Sequence, residues 1–422
     1  MIRNPRAILA LLTALNLLNY MDRFVLSAVL KPLQEDLQLS NFVGGFLATA
    51  FLLGYFVTSP VFGAIGDRSG KGGRKALVVV GALVWSLATL ATGLAHGATT
   101  ILLARAIVGV GEASFVTIAP TIIDDIAPPE KKSAWMSYFF TAIPVGSAIG
   151  YLVGGAVQSA THDWRQSFFV AGGPGILLAL LCLLMKEPDA AAAGAQGVNA
   201  KAGARVVPGS RTGALADART LSRIPLYVYV VAGQCAYTFA IVGFGYWAPK
   251  YVALRYVMED GRAAFLFGLV TVLGGLVGTL LGGRIGDIVS RRHTSDEGVA
   301  RGNLALTAVA TGLAVPFAAV CLVCPTALVF FAMALPCEIA LFVPGGPYNV
   351  AVLRSVPPAL RTTGMAFSIF ASHLFGDLWS PPLIGLLADH VSMAWAMLVV
   401  PATFALASFF WWRGKGISPH PG

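Results

Sequence analysis

The sequence predicts an all-α integral membrane protein, with twelve transmembrane helices in two pseudo-symmetric six-helix halves. Three observations carry that prediction. The 422 residues are 56% hydrophobic and only 12% charged, with a mean hydropathy of +0.74, whereas a soluble domain is about 25% charged. Twelve apolar stretches, each long enough to cross a bilayer, punctuate the chain. Basic residues then fall on alternate loops, as the positive-inside rule requires.

The stretches run at roughly 7–30, 42–65, 76–95, 98–122, 134–157, 166–185, 226–249, 263–284, 303–322, 326–350, 363–388 and 392–412. The first is too long in its apolar core, and too charged, to read as a cleaved signal peptide. With the N-terminus placed in the cytoplasm, 22 of the 29 Lys and Arg lie inside and 5 outside (Lys31, Arg165, Lys250, Arg255 and Arg262). Arg23 and Arg105 lie within spans. The net charge of +9 is thus a topology signal, and nucleic acid is not an expected partner.

The first span contains "LLNYMDRFVL", with Asp22 and Arg23 adjacent in an otherwise oily segment. A charge at the bilayer centre costs roughly 2.5–3.5 kcal/mol on insertion scales, so such residues are rarely kept without a use. At 100° per residue, Thr13, Asn16, Tyr20, Arg23 and Ser27 form one polar stripe, with Asn19 at its margin. Such a stripe lines a cavity or a helix contact. Asp22 points about 100° away from Arg23, so each needs a partner elsewhere.

The fourth span supplies the complementary charges. Arg105 and Glu112 stand seven residues apart, nearly on one face, but about 10.5 Å apart along the axis, too far for a simple direct pair. If the first and fourth spans are neighbours, Arg105 meets Asp22 and Glu112 reaches Arg23. The four charges sum to zero, which makes their joint burial tolerable. A purely structural quartet competes with a substrate and proton site made of Asn19, Tyr20, Asp22, Arg23, Arg105 and Glu112.

Residues 186–225 form the only long polar segment, read as a flexible cytoplasmic linker with a short amphipathic helix near Leu215–Leu221. It separates an N-terminal six-helix half, 1–185, from a C-terminal half, 226–422. The halves repeat one another. "GAIGDR" at 63–68 matches "GRIGDI" at 283–288, and "APPEKKSAWM" at 127–136 echoes "VPPALRTTGM" at 356–365, each pair at equivalent topological places. Two parallel six-span repeats with a site between them are a recurrent transporter design.

In the second half, Gly345-Gly346-Pro347, after Pro344, should break the tenth span. Glu338 stands alone in that span. His373 and Asp377 share one face of the eleventh at i, i+4, without a cation at that spacing. All five cysteines lie in or at the ends of apolar spans and read as buried or lipid-facing thiols. Cys321-x-x-Cys324 lacks the second pair or nearby His of a metal site, so no metal is expected. No Walker-type Gly-Lys-Ser/Thr segment appears, and no cofactor is called for.

Gly63-x-x-x-Asp67-Arg68-x-Gly70 resembles the loop 2–3 signature of the major facilitator superfamily, with Gly283-x-x-Gly286-Asp287 and Arg291-Arg292 as its second-half partner. Here Lys71, Gly72 and Gly73 precede the basic pair Arg74-Lys75, which in the family follows the last glycine directly. Within the superfamily the chain is similar to the spinster group of lysolipid and sphingolipid transporters. The similarity rests on Asn19-Tyr20-Met21-Asp22-Arg23, on Arg105-x-x-Val108-Gly109-x-Gly111-Glu112-Ala113-Ser114, on Ala119-Pro120-Thr121, and on His373-x-x-Gly376-Asp377-x-x-Ser380-Pro381-x-x-Ile384-Gly385.

That resemblance implies a monomeric carrier of a bacterial inner or plasma membrane, working by alternating access, with proton coupling and a lipid-like anion such as a lysophospholipid or sphingoid phosphate as substrate. His373 and Asp377 join the binding residues. Asp67, Arg68, Arg74, Asp287 and Arg291 become a cytoplasmic gate, against the plainer reading of helix capping and topology charge. A carrier of small organic anions or drugs, a non-transporting ligand sensor and an intramembrane enzyme are the alternatives. The last lacks any nucleophile or metal set beside His373.

The charge distribution makes a direct prediction. With the five native cysteines replaced, a cysteine at Gly203 should resist an impermeant maleimide applied outside intact cells and react after lysis. Labelling from outside would invert the topology.

Overall fold

The computed structural model describes residues 2–69, 72–128, 131–186 and 214–417. Most of the 186–225 linker, Gly70 and Lys71 lie outside the described residues, as does the side chain of Asp67. The described chain is helical, with eleven helices long and apolar enough to span a membrane. It divides into two compact units, Met1–Ala200 with Ala248–Leu269, and Lys201–Trp247 with Val270–Gly422.

In the first unit, α1 (Pro5–Ala28) starts on Asn4, whose side chain accepts from the Arg6 N–H, with Pro5 at the first helical position. The helix ends two residues before the end of the expected 7–30 span. Val29 leaves helical geometry, and a separate helix α2 (Leu30–Leu37) follows, ending at Gln38 in left-handed conformation. Then come α3 (Asn41–Arg68), α4 (Gly73–Gly93), α5 (Ala98–Ile126), α6 (Lys132–Phe140), α7 (Ala142–Thr161) and α8 (Trp164–Leu183). Helices α6 and α7 form a single span interrupted at Thr141. Gly72, just before α4, has φ +89°, a conformation that favours glycine.

Ile2 pairs with the end of α8 through Ile2 N–H to Leu184 O (2.6 Å) and Lys186 N–H to Ile2 O (3.0 Å). The two ends of this six-span half therefore meet on one face of the unit.

Close helix crossings set its interior. Gly146, Gly150 and Gly154 of α7 lie against Leu17, Met21 and Ala28 of α1. In α5 the two glycines of the Gly109-x-Gly111 pair serve opposite neighbours. The carbonyl of Phe51 in α3 occupies the place of a Cβ on Gly109, and Trp85 of α4 crowds Gly111. Small residues let backbones approach in this way, and packing replaces the hydrophobic drive that lipid removes.

The end of α10 (Pro225–Arg255) and the start of α11 (Asp260–Arg291) belong to the first unit, so the compact units cut the chain differently from a simple boundary at 225. Lys250 donates to Gln34 Oε1 (2.6 Å) and Asn41 Oδ1 (2.7 Å). Lys31 pairs with Asp260 at 2.9 Å, and Tyr151 meets Phe267 edge-on. Asp36 of α2 is held below the usual carboxylate range by the hydrogen bond from Arg165 and then that from Trp164. Its contribution is present above the ordinary aspartate range and is lost as pH falls through its lowered value.

The second unit holds α9 (Ala214–Leu221), where a short helix was expected, most of α10 and α11, α12 (Asp296–Val323), α13 (Ala327–Phe342) and α14 (Gly345–Arg354). The tenth span breaks at Val343 and Pro344, as its Pro-Gly-Gly-Pro run predicts. The eleventh departs from the expected continuous 363–388 helix. Here α15 (Arg361–Ser372) passes into a π-wound turn, His373–Asp377, before α16 (Ser380–His390) starts with Pro381 and Pro382. Prolines suit a first turn and cannot continue the preceding helix. The chain ends with α17 (Met393–Met397) and α18 (Val399–Lys415). Ile417 O accepts from Arg301, tying the C-terminal end to α12.

The α3–α5 crossing is the most sensitive joint. Gly109→Val should lower the melting temperature in detergent, since overpacking typically costs about 1–3 kcal/mol. Gly283→Ala, where no atom lies within 4 Å of the added carbon, should leave it unchanged or raise it. Equal thermal stability of the two variants would contradict the crossing.

Candidate functional site

The first unit brings the four intramembrane charges together. Arg23 Nε donates to Glu112 Oε2 at 2.8 Å, and Nη2 lies 2.7 Å from the same oxygen. Arg23 Nη2 also reaches Asn19 Oδ1 at 3.3 Å. Arg105 Nη1 stands 3.9 Å from Asp22 Oδ1, while the other Asp22 oxygen accepts from the hydroxyl of Thr89. The pairing expected if the first and fourth spans are neighbours is therefore the pairing found, and Arg105 and Glu112 do not bond to each other.

The two ion pairs differ in tightness. Arg23 and Glu112 are in full hydrogen-bonding contact, with Glu112 completely buried and 22% of the Arg23 side chain exposed. Arg105 and Asp22 are both buried, yet their separation exceeds hydrogen-bonding distance. Among the described residues, Arg105 Nε and Nη1 find no acceptor, and Asp22 Oδ1 and Glu112 Oε1 find no donor. Buried charged atoms with unused hydrogen-bonding capacity are rare and call for an explanation.

Aromatic rings wall the charges. The Arg23 guanidinium lies over Tyr20 at 4.7 Å, Phe51 at 4.8 Å and Tyr55 at 5.5 Å from the ring centroids. Arg105 lies over the same Phe51 ring at 5.4 Å. Phe51 thus sits between the two cations and offers each a ring face. The Gly109 crossing places it there, since any side chain at that position would push α3 away.

Phe51, Tyr55 and Thr89 have no counterpart among the residues singled out in the sequence. The i, i+4 spacing of Phe51 and Tyr55 is a usable signal once Gly54 and Gly109 are read as a close crossing. Thr89 carries none. The polar stripe of α1 serves two purposes, because Asn16 turns to donate to Phe139 O of α6 at 2.9 Å, while Arg23 and Tyr20 face the charges.

In the second unit, His373 Nδ1 and Asp377 Oδ2 lie 2.8 Å apart on the π-wound turn. Such turns often mark functional positions inside helices. The His373 side chain is 34% exposed and that of Asp377 10%. The expected gate residues are divided between the two units. Arg74 Nη1 pairs with Asp125 Oδ2 at 2.7 Å at the end of α5, and Arg68, Asp287 and Arg291 are exposed.

The match to known proteins extends over nearly the whole chain. The family model described as Major Facilitator Superfamily covers residues 12–378. The chain is 32% identical to a probable sphingolipid transporter, spinster homolog 3 of Arabidopsis thaliana, across 98% of this chain and 85% of that protein. It is 34% identical to protein spinster homolog 1 of Homo sapiens, across 92% and 74%. Among solved structures, a bacterial homolog of the human lysosomal transporter spinster superposes with TM-score 0.82 at 20% identity, covering 98% of each chain. The nucleoside transporter NupG shares the fold at TM-score 0.72 and 12% identity, over 97% of this chain and all of that one. These relatives are carriers and not enzymes. The chain is a multi-pass membrane transporter that belongs to the Major Facilitator Superfamily, within its spinster family.

Proposed function

We propose that this carrier moves a lipid-like amphipathic anion, of the lysophospholipid or sphingoid phosphate class, by alternating access with proton coupling, as a monomer with both termini in the cytoplasm. The observation that supports this most is the state of Arg105. It is a buried guanidinium with two idle donors beside a carboxylate held only loosely, at 3.9 Å. A planar fork of N–H donors suits a phosphate, and the aromatic walls suit the apolar part of an amphiphile. The name of the Arabidopsis relative points to the same substrate class. The basic loops support the orientation.

The chemistry follows from competition for the guanidinium groups. With the site empty, Asp22 and Glu112 balance Arg105 and Arg23. An incoming phosphate takes donors from Arg105, and Asp22 keeps only the Thr89 hydroxyl. A carboxylate without its cation in a low-dielectric cavity is disfavoured in its charged form, so it takes up a proton. Binding of anion and proton are then linked, and linkage is reciprocal. His373 and Asp377 supply a second polar contact in this reading, and Asp67, Arg68, Arg74, Asp287 and Arg291 serve the cytoplasmic gate.

Two results test the proposal. In proteoliposomes, Arg105→Lys should insert normally but lose flux of a lysophospholipid on the order of tenfold or more, a change of about 1.4 kcal/mol or above. Arg23→Lys should be impaired in the same direction. Flux that persists when the acyl chain is removed from the substrate would favour a carrier of small organic anions, and wild-type flux in both variants would assign the arginines to structure.

The second result is proton uptake on binding. Because the bound state holds more protons, affinity should weaken as pH rises. Calorimetry in buffers of different ionisation enthalpy measures the uptake directly, and Asp22→Asn or Glu112→Gln should flatten the pH dependence while retaining some binding. Zero uptake by the wild type, with unchanged pH profiles in both variants, would leave the carboxylates as structural counter-ions.

A further inference from the structure

The second unit contains a buried carboxylate that the quartet does not use. Glu338 lies on α13 at 4% exposure, and among the described residues no hydrogen bond or ion pair reaches its carboxyl group. Asp377 of the same unit has His373 as its partner. Glu338 has no counterpart of this kind.

Its described neighbours within the second unit are apolar or weakly polar. From α11, Gly274 packs directly on it, so closely that a Cβ there would stand 2.5 Å from Glu338 Cβ. From α10 comes Tyr237, whose hydroxyl donates to Leu341 O. From α12 comes Cys321, from α13 itself Cys337, and from α14 Tyr348, whose ring meets that of Tyr237. Among the described residues, Tyr237, Cys321 and Cys337 are the titratable groups that interact with the carboxyl, and none is a cation.

The repeat places this residue informatively. Gly54 of α3 and Gly274 of α11 are 220 positions apart, the same offset that separates Gly63 from Gly283. At the first crossing Gly54 faces Ala106, the neighbour of Arg105. At the second, Gly274 faces Glu338. The fourth and tenth spans therefore both present charge-bearing segments where a glycine of the paired helix allows close approach.

An ionised carboxylate without a cation in such a site is strongly disfavoured, and taking up a proton removes the charge. We propose that Glu338 is a proton-binding site of the second unit, holding its proton while packed against Gly274 and releasing it when that crossing opens to water. The inference rests on the alternating-access reading, since only a change of packing gives the proton an exit. It does not depend on which substrate the quartet binds.

The test is infrared difference spectroscopy of the purified full-length protein in lipid bilayers, between acid and alkaline buffers, in H₂O and D₂O. Wild type should show the carbonyl stretch of a protonated carboxylic acid that disappears on alkalinisation and shifts in D₂O. Glu338→Gln should lose that band, Glu338→Asp should move it, and Asp22→Asn and Glu112→Gln should keep it. A Glu338→Gln spectrum matching wild type, or a Glu338 band that neither titrates nor exchanges, would overturn the proposal. Should Glu338→Gln fail to fold, the band shift in Glu338→Asp decides alone. Bands lost only in the Asp22 and Glu112 variants would uphold the quartet and reject Glu338.

Discussion

Two arginines held among apolar helices, one fully buried and one partly, require two carboxylates, and the first unit is organised around that requirement. Removing one member of a buried pair typically costs about 3–5 kcal/mol, because the remaining charge has neither water nor a partner. Four helices must therefore hold their side chains in register. Helix α1 brings Asp22 and Arg23, α5 brings Arg105 and Glu112, α3 inserts Phe51 between the cations, and α4 offers the Thr89 hydroxyl. The glycines of α5 and α7 make this possible, since side chains there would hold the backbones apart. Compensation is complete in charge but incomplete in hydrogen bonding. Arg23 is clamped by Glu112, whereas Arg105 keeps donors in reserve.

That asymmetry suits a carrier better than a fixed strut. A structural quartet gains most from saturating every donor and acceptor, because an unsatisfied buried polar group carries its full desolvation cost. A transport site must instead exchange one set of partners for another without a large barrier. Loosely held Arg105 and Asp22 can make that exchange. Glu338, neutralised by a proton rather than by a cation, would give the second unit its own response to the same change of packing.

Much of this was legible in the sequence. The spans followed from hydropathy, and the pairings of Arg23 with Glu112 and Asp22 with Arg105 followed from the depth of each charge once the family resemblance made the first and fourth spans neighbours. The short helix within the linker and the break at Val343–Pro344 also follow from local composition. Other features were not legible. Phe51, Tyr55 and Thr89 are ordinary residues for a membrane helix, and only the third dimension singles them out. Pro32, three residues past Val29, cannot donate to Ala28 O and so marks the boundary, but the apolar run across it hid the start of α2. His373 and Asp377 meet as i, i+4 neighbours should, but the π-wound turn that carries them has no signature in spacing.

The central claim is that Arg105 is the anchor of an anionic headgroup, and a structure of the protein with a bound lysophospholipid tests it most directly. The account predicts phosphate oxygens within hydrogen-bonding distance of Arg105 Nε and Nη1, with Asp22 displaced from the guanidinium and still held by Thr89. A headgroup bound elsewhere, with Arg105 and Asp22 in their present positions, would contradict it.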